Sequence, residues 1–253
     1  MKNNIIAIDV SKEYVLHIDK VLERSKIEIL EWFSCIEKEF KVNTYIYKDI
    51  QSLRNGLKKR GLGLYPSHMV ACMIDEDLST GIRRSINLYE PPTIADEKSY
   101  NKKEYDYVVF HELVHYITDM IYGKLPEWLT EGIAKILDNT YKEDLTNLMP
   151  IINTYEIPSI SSMKGDFFIL KKYESTITED AQEIQKEITI YNGYDLSYIM
   201  VRYLIEVYGK EYLFSLMDNK KEIKRLEQSI LNEAIDYFTS KYLKENTIKN
   251  KKI

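Results

Sequence analysis

Residues 111–115 read His-Glu-Leu-Val-His. This run constrains the fold more than any other feature, because the spacing of its two histidines predicts a helix. An α-helix advances about 1.5 Å per residue, so His111 and His115 would lie about 6 Å apart along one helical face. From there both imidazoles can reach one metal ion. Glu112 would lie on the neighbouring face, where its carboxylate can contact a water molecule on that metal without ligating it. The chain has 4 histidines, and this run contains two of them.

The H-E-x-x-H pattern is typical of zinc-dependent hydrolases, and a catalytic zinc usually has three protein ligands and one open position. A third ligand is therefore required. The metzincin pattern would need a histidine six residues after His115, and Ile121 stands there. Asp119 is one candidate, but it lies about two turns beyond His111 on the same helix, which displaces its side chain along the axis.

Glu131 is the favoured third ligand. It lies sixteen residues after His115, beyond Gly123, which can turn a second helix back across the first. Gly132 and Ala134 are small and leave room for close helix contact beside the glutamate. Asp119 and a ligand from outside the chain remain the alternatives.

The run His-Glu-Leu-Val-His followed by Trp-Leu-Thr-Glu-Gly-Ile-Ala at residues 128–134 resembles the gluzincin metallopeptidases, and most of all the peptidase MA-like group. The resemblance extends over about residues 105–137. It implies an α+β, zincin-like fold in which His111, His115 and Glu131 bind Zn²⁺ and Glu112 activates the zinc-bound water for hydrolysis of a peptide bond. The peptide or protein that is cleaved is not implied.

The chain departs from thermolysin-like active sites in two places. The link between His115 and Glu131 is a few residues shorter, which requires a tighter turn at Gly123. The aspartate that supports a zinc-ligating histidine one turn after the glutamate is replaced by Lys135. Asp138, about one turn further on, is a candidate substitute, because carboxylates commonly orient ligating imidazoles.

The resemblance also implies a tyrosine that stabilises the oxyanion. In related aminopeptidases this tyrosine follows the glutamate ligand at a distance similar to that between Glu131 and Tyr194. We therefore predict Tyr194 as a catalytic residue, with Tyr191 and Tyr198 as rivals. Oriented donors of this kind contribute strongly in sites from which water is excluded.

A strand predicted at residues 85–89 precedes the active-site helix. In zincins an edge strand pairs with an extended substrate, so Ser85 and Asn87 are predicted to bind substrate. The alternative is an ordinary interior strand, in which these residues would have no such role.

Two halves are predicted. Residues 1–122 would form an α/β subdomain that ends in the H-E-x-x-H helix, and residues 123–245 a mainly helical subdomain that carries Glu131, with the cleft between them. Residues 246–253 would form a flexible basic tail. Further expectations are strands at 5–8, 14–18, 42–47, 69–74 and 85–89, a turn at 75–77, and helices at 21–40, 49–57, 103–122, 127–139, 195–208, 210–217 and 221–245.

Composition narrows the classes of function. The 253 residues carry a net charge of −5 with both signs mixed, which argues against a nucleic-acid binder. The basic run Lys58-Lys59-Arg60 is predicted to be a solvated helix end. No stretch is long enough for a membrane span, and the N-terminal apolar run is too short for a signal peptide. Two cysteines make no disulfide framework. We expect a protein of the bacterial cytoplasm, with no membrane partner and with an oligomeric state that the sequence does not determine.

Two other functions fit the same pattern. One is a catalytically silent binding or regulatory protein that keeps a structural metal site. The other is a toxin-type metalloprotease that acts on one host protein, which would require a delivery signal. Glutamate and two histidines inside an apolar helix are costly to bury without a metal, which favours a metal site in every case.

Overall fold

The computed structural model describes residues 3–38, 41–62, 71–78, 81–91, 102–139, 145–177 and 183–250. They form two compact units, Met1–Gly123 and Lys124–Ile253. Helices and strands both contribute substantially, and the α+β class predicted from the sequence is confirmed. None of the helices in these ranges is long and apolar enough to cross a membrane.

The first unit is a four-stranded mixed sheet with three helices. Its elements are β1 (Asn4–Ile8), α1 (Lys12–Trp32), β2 (Asn43–Tyr47), α2 (Ile50–Lys59), β3 (Cys72–Leu78), β4 (Gly81–Tyr89) and α3 (Lys102–Tyr122). The strand order is β1-β2-β4-β3, with β1, β2 and β4 parallel and β3 antiparallel to β4. Helix α3 packs against α1 and against β3 and β4, while α2 packs against β2 and β4.

Successive residues of β4 point to opposite faces of the sheet. Arg84 bonds Asp119 on α3, and its neighbour Ser85 bonds Arg60, which follows α2. The sheet is therefore covered by α3 on one face and by α2 on the other. The α3 face of the core is apolar, with Ile86 and Leu88 fully buried.

The second unit is mainly helical with one long hairpin. Its elements are α4 (Glu127–Leu137), α5 (Leu145–Ile152), two short 3-10 helices at 160–162 and 165–167, β5 (Ile169–Ile177), β6 (Glu183–Asn192), α6 (Gly193–Tyr208), α7 (Lys210–Asp218) and α8 (Lys220–Asn250). Helix α6 lies at the centre, since it packs against α4, α7 and α8 and most of its residues are buried.

Several local predictions are confirmed because they rest on capping chemistry. Asp49 accepts the N–H of Ser52 at 2.7 Å and begins α2, and Gly61, with φ +75°, follows its last turn. Gly123, with φ +69°, ends α3, and Pro126 precedes the first turn of α4.

Three other predictions are wrong. Residues 14–18 belong to α1 rather than to a strand, because Ser11 caps the helix by accepting the N–H of Tyr14 at 3.2 Å. Asp75 lies within β3 instead of a turn, since Arg84 pairs with its carboxylate at 2.7 and 2.8 Å. Helix α8 continues to Asn250, into the segment predicted as a tail, and residues 251–253 lie outside the described ranges.

Candidate metal centre

Helix α3 presents the two histidines as the spacing predicts. The Nε2 atoms of His111 and His115 are 3.0 Å apart, and the two rings lie edge to face. Two nitrogen ligands about 2.0 Å from a tetrahedral zinc would be separated by about 3.3 Å, so this separation is close to that of a ligand pair. Both side chains are half-buried. The two ring nitrogens are therefore close enough to bind one metal ion.

Glu131 on α4 joins the pair. One imidazole nitrogen from His111, one from His115 and one carboxylate oxygen from Glu131 all lie within 4.8 Å of one another. In the described part of the chain this is the one cluster of three or more histidine, cysteine or acidic side chains with such spacing. Two imidazoles and one carboxylate are a donor set that zinc accepts. The three residues can therefore hold a metal ion, and the identity of that ion is part of the proposal below.

Asp119, the rival ligand, has a different contact. Its Oδ2 lies 3.3 Å from Nη2 of Arg84, and both side chains are largely buried. Arg84 also carries the ion pair with Asp75. Asp119 thus ties the C-terminal part of α3 to β4 and is not a member of the histidine–glutamate cluster.

Glu112 lies beside the histidines, half-buried on α3. Burial raises the pKa of the Cys72 thiol on β3, and the charge of Glu112 raises it further. Burial also raises the pKa of Tyr105 well above its ordinary value, with a smaller contribution from Glu112 in the same direction. The Glu112 carboxylate is therefore within electrostatic reach of the start of β3.

The position of α4 is set by its contact with α6. A Cβ atom on Gly132 would lie 2.4 Å from the backbone oxygen of Ser197 and 2.4 Å from Cγ2 of Val201. Only glycine permits this approach. The sequence placed this close contact against the H-E-x-x-H helix, whereas the structure shows it with α6. Because Glu131 precedes Gly132, the same contact fixes the backbone from which the Glu131 carboxylate projects.

Tyr194 occupies the first turn of α6. Asn192 accepts its N–H at 3.0 Å, and the Phe168 ring lies edge to face against its ring, with centroids 4.9 Å apart. The Lys135 ammonium lies 5.4 Å from the centroid of the Tyr194 ring. Lys135 is one helical turn after Glu131, so Tyr194 lies near the face of α4 that carries the glutamate.

The two rival tyrosines have hydroxyl partners of their own. Tyr191 donates to the Phe167 carbonyl at 2.8 Å, and Tyr198 accepts from Nη1 of Arg202 at 2.8 Å. Both are buried. The catalytic role of Tyr194 stays a prediction, with Tyr191 and Tyr198 as its rivals. Asp138, the proposed support for a histidine, is buried at the end of α4, 3.8 Å from the Lys135 ammonium.

The prediction that β4 is an edge strand is wrong. Strand β4 lies between β2 and β3, and Ser85 and Asn87 are fully buried. Their side chains bond the guanidinium of Arg60, at 3.2 Å from Ser85 Oγ and 2.6 Å from Asn87 Oδ1. An extended substrate cannot pair with a strand that has a neighbour on both sides, so we do not carry these residues into the proposed site.

Arg60 was also assigned wrongly, since it is not part of a solvated helix end. Its guanidinium makes two bonds to the Glu76 carboxylate, at 2.8 and 2.6 Å, and lies over the Tyr45 ring. This network joins the end of α2 to β3 and β4. No local pattern distinguishes Arg60 from Lys58 and Lys59, because its hydrogen-bond partners are 13 or more residues away.

No protein-family model matches the chain, and no curated protein is significantly similar to it in sequence. The arrangement of side chains therefore carries the functional argument.

Proposed function

We propose that this chain is a zinc-dependent metallopeptidase of the gluzincin type, with a zincin-like fold. The observation that carries the proposal is the cluster of His111, His115 and Glu131, whose ligand atoms lie within 4.8 Å of one another beside Glu112. Three ligands of this kind leave one coordination position open, which is the arrangement of catalytic rather than structural zinc sites.

The three residues offer ligand atoms of the kinds that catalytic zinc binds. His111 and His115 would each supply an imidazole nitrogen, and Glu131 a carboxylate oxygen. When bound, zinc would act as a Lewis acid that polarises a carbonyl group and lowers the pKa of water. The shared helix α3 fixes the two histidines, while the contact between Gly132 and α6 fixes the glutamate.

Glu112 is the proposed general base. Its carboxylate oxygen accepts a proton from the attacking water as the water oxygen bonds to the peptide carbon. The same carboxyl group then delivers that proton to the amide nitrogen as the carbon–nitrogen bond breaks, which gives a carboxylic acid and an amine. Tyr194 is the proposed donor to the carbonyl oxygen, where negative charge develops.

Strand β3 is the better candidate for contact with an extended substrate. It is the antiparallel strand at the end of the sheet order, and within the described residues no strand pairs with its outer side. Its first residue, Cys72, is within electrostatic reach of Glu112. Main-chain pairing with such an edge is a common way to hold a peptide.

The test is Glu112→Gln, which keeps the shape of the side chain and removes its basicity. We expect hydrolysis of a quenched-fluorescence peptide library to fall by about 100-fold or more, since general bases contribute about 10²–10⁴-fold. Zinc content, measured by atomic emission, should be unchanged.

Asp106→Asn is the matched control, because it removes a carboxylate from the same helix at a residue that pairs with His17 at 2.7 Å. This variant should cleave as the wild type does. Undiminished cleavage by a zinc-loaded Glu112→Gln protein would refute the proposed mechanism. Zinc binding without cleavage in the wild type would instead favour a binding protein with a structural metal.

A further inference from the structure

We propose that Lys135 is a positioning residue that holds the phenol of Tyr194 beside the glutamate ligand. The inference rests on the proposed function, because it assigns a role in the same site. In thermolysin-like sites the residue at this position is a carboxylate that supports a zinc-ligating histidine. A lysine cannot act in that way, so the role of Lys135 must be a different one. The ammonium lies 5.4 Å from the centroid of the Tyr194 ring.

The distance and the burial both favour a cation–π contact. Such contacts form within about 6 Å of the ring centroid and strengthen when water is excluded. The Lys135 side chain is 19% exposed, so much of its surface is shielded. A lysine whose aliphatic chain packs on the protein and whose ammonium lies over an aromatic ring limits the movement of that ring.

Asp138 provides a second contact for the lysine. Its carboxylate side chain is only 3% exposed and lies 3.8 Å from the Lys135 ammonium. Rotation of Lys135 away from Tyr194 would weaken the charge compensation of a buried carboxylate, which is unfavourable. The ammonium therefore lies within reach of both Asp138 and the ring, on a residue one helical turn from Glu131.

Two further contacts of Tyr194 act on other parts of the residue. Asn192 fixes the backbone through the N–H of Tyr194, and Phe168 packs edge to face on the ring. Lys135 adds the contact on the α4 side. A small error in the position of a donor group costs rate steeply, so a residue that fixes the phenol affects kcat without touching the substrate.

The first test needs no activity. We would incorporate 3-fluorotyrosine at position 194 of the full chain and record ¹⁹F NMR spectra with and without added zinc. Lys135→Met should move the resonance toward its position in the urea-unfolded protein, and Lys135→Arg should keep it near the wild-type position. Lys220→Met, which changes an exposed lysine at the start of α8, is the matched control and should leave the spectrum unchanged. An unchanged spectrum in Lys135→Met would overturn the inference.

The second test is kinetic. Lys135→Met should lower kcat by about 2- to 30-fold, the range expected for a cation–π contact, with KM and zinc affinity nearly unchanged. Lys135→Arg should restore kcat. In a Tyr194→Phe background, Lys135→Met should have little further effect, because the hydroxyl that it positions is already absent.

Independent effects of the two substitutions, or a loss of zinc affinity in Lys135→Met, would overturn the inference and point to an action on Glu131. The two proposals fail in different ways. If the wild type cleaves no peptide, the proposed function fails, and the ¹⁹F spectra still decide whether Lys135 holds the ring.

Discussion

Replacement of Gly132 by alanine tests whether the close contact of α4 with α6 fixes the glutamate ligand. The added Cβ would lie 2.4 Å from the Ser197 carbonyl oxygen and 2.4 Å from Cγ2 of Val201. Heavy atoms in ordinary contact are about 3.5 Å apart, so the two helices must separate by about 1 Å. The carbonyl oxygen belongs to the backbone of α6 and cannot rotate away as a side chain would.

Two effects of opposite sign determine the change in stability. Overpacking of this kind costs about 1–3 kcal/mol. The higher helix propensity of alanine returns about 1 kcal/mol. Because the clash involves backbone, we expect an overpacking cost of about 3 kcal/mol. The net loss in the free energy of unfolding should then be about 1–2 kcal/mol. A shift of Glu131 should also lower zinc affinity by about 10-fold, since metal–ligand distances tolerate only about 0.2 Å.

Urea unfolding and competition with a zinc-binding dye would measure the two quantities. Val201→Ala in the Gly132→Ala background removes one of the two clashes, so the double variant should be more stable than the sum of the single changes predicts. If Gly132→Ala is instead about 1 kcal/mol more stable, as helix propensity alone predicts, and binds zinc as tightly as the wild type, the reasoning is refuted.

The remaining predictions concern the rival ligand and the buried arginine. Glu131→Ala should lose zinc, whereas Asp119→Ala should keep it. Asp119→Ala should instead lose about 1–3 kcal/mol of stability, because Arg84 loses a buried partner. Metal analysis and urea unfolding would measure the two effects, and zinc loss only in Asp119→Ala would reverse the ligand assignment. Arg60 lowers the pKa of Glu76 from 4.5, so the stability from this pair is complete above about pH 4.5 and is lost as the pH falls through the lowered value. Arg60→Met should therefore show a smaller loss of stability between pH 6 and pH 3, and an equal loss in both proteins would contradict the pairing.

Local signals in the sequence predicted the helical part of the site well. Helix α3 follows from the apolar residues around the histidines, and Gly123 ends it where predicted. Helix α4 follows from Pro126 and the apolar run behind it. Each signal concerns residues within a few positions of one another, where helix geometry and capping decide the outcome.

The sequence contains no comparable local signal for the hairpin of β5 and β6. Its charged residues pair across the strands, as Lys171 does with Glu187 at 2.7 Å, and the outer part of the hairpin is exposed on both faces. A strand exposed on both faces shows no alternation of apolar and polar residues, which is the pattern from which strands are predicted. The sequence therefore predicts neither of these two strands.

The sequence by itself determined the chemistry of the candidate site: two imidazoles one helical turn apart, a carboxylate next to the first, and a small residue beside Glu131. These features follow from the helical repeat, which relates residues a few positions apart. Only the tertiary structure brings a Glu131 oxygen within 4.8 Å of the two imidazoles and pairs Asp119 with Arg84, because both contacts join different elements. It also decided that β4 is an interior strand, since strand order depends on pairings between residues far apart in the chain.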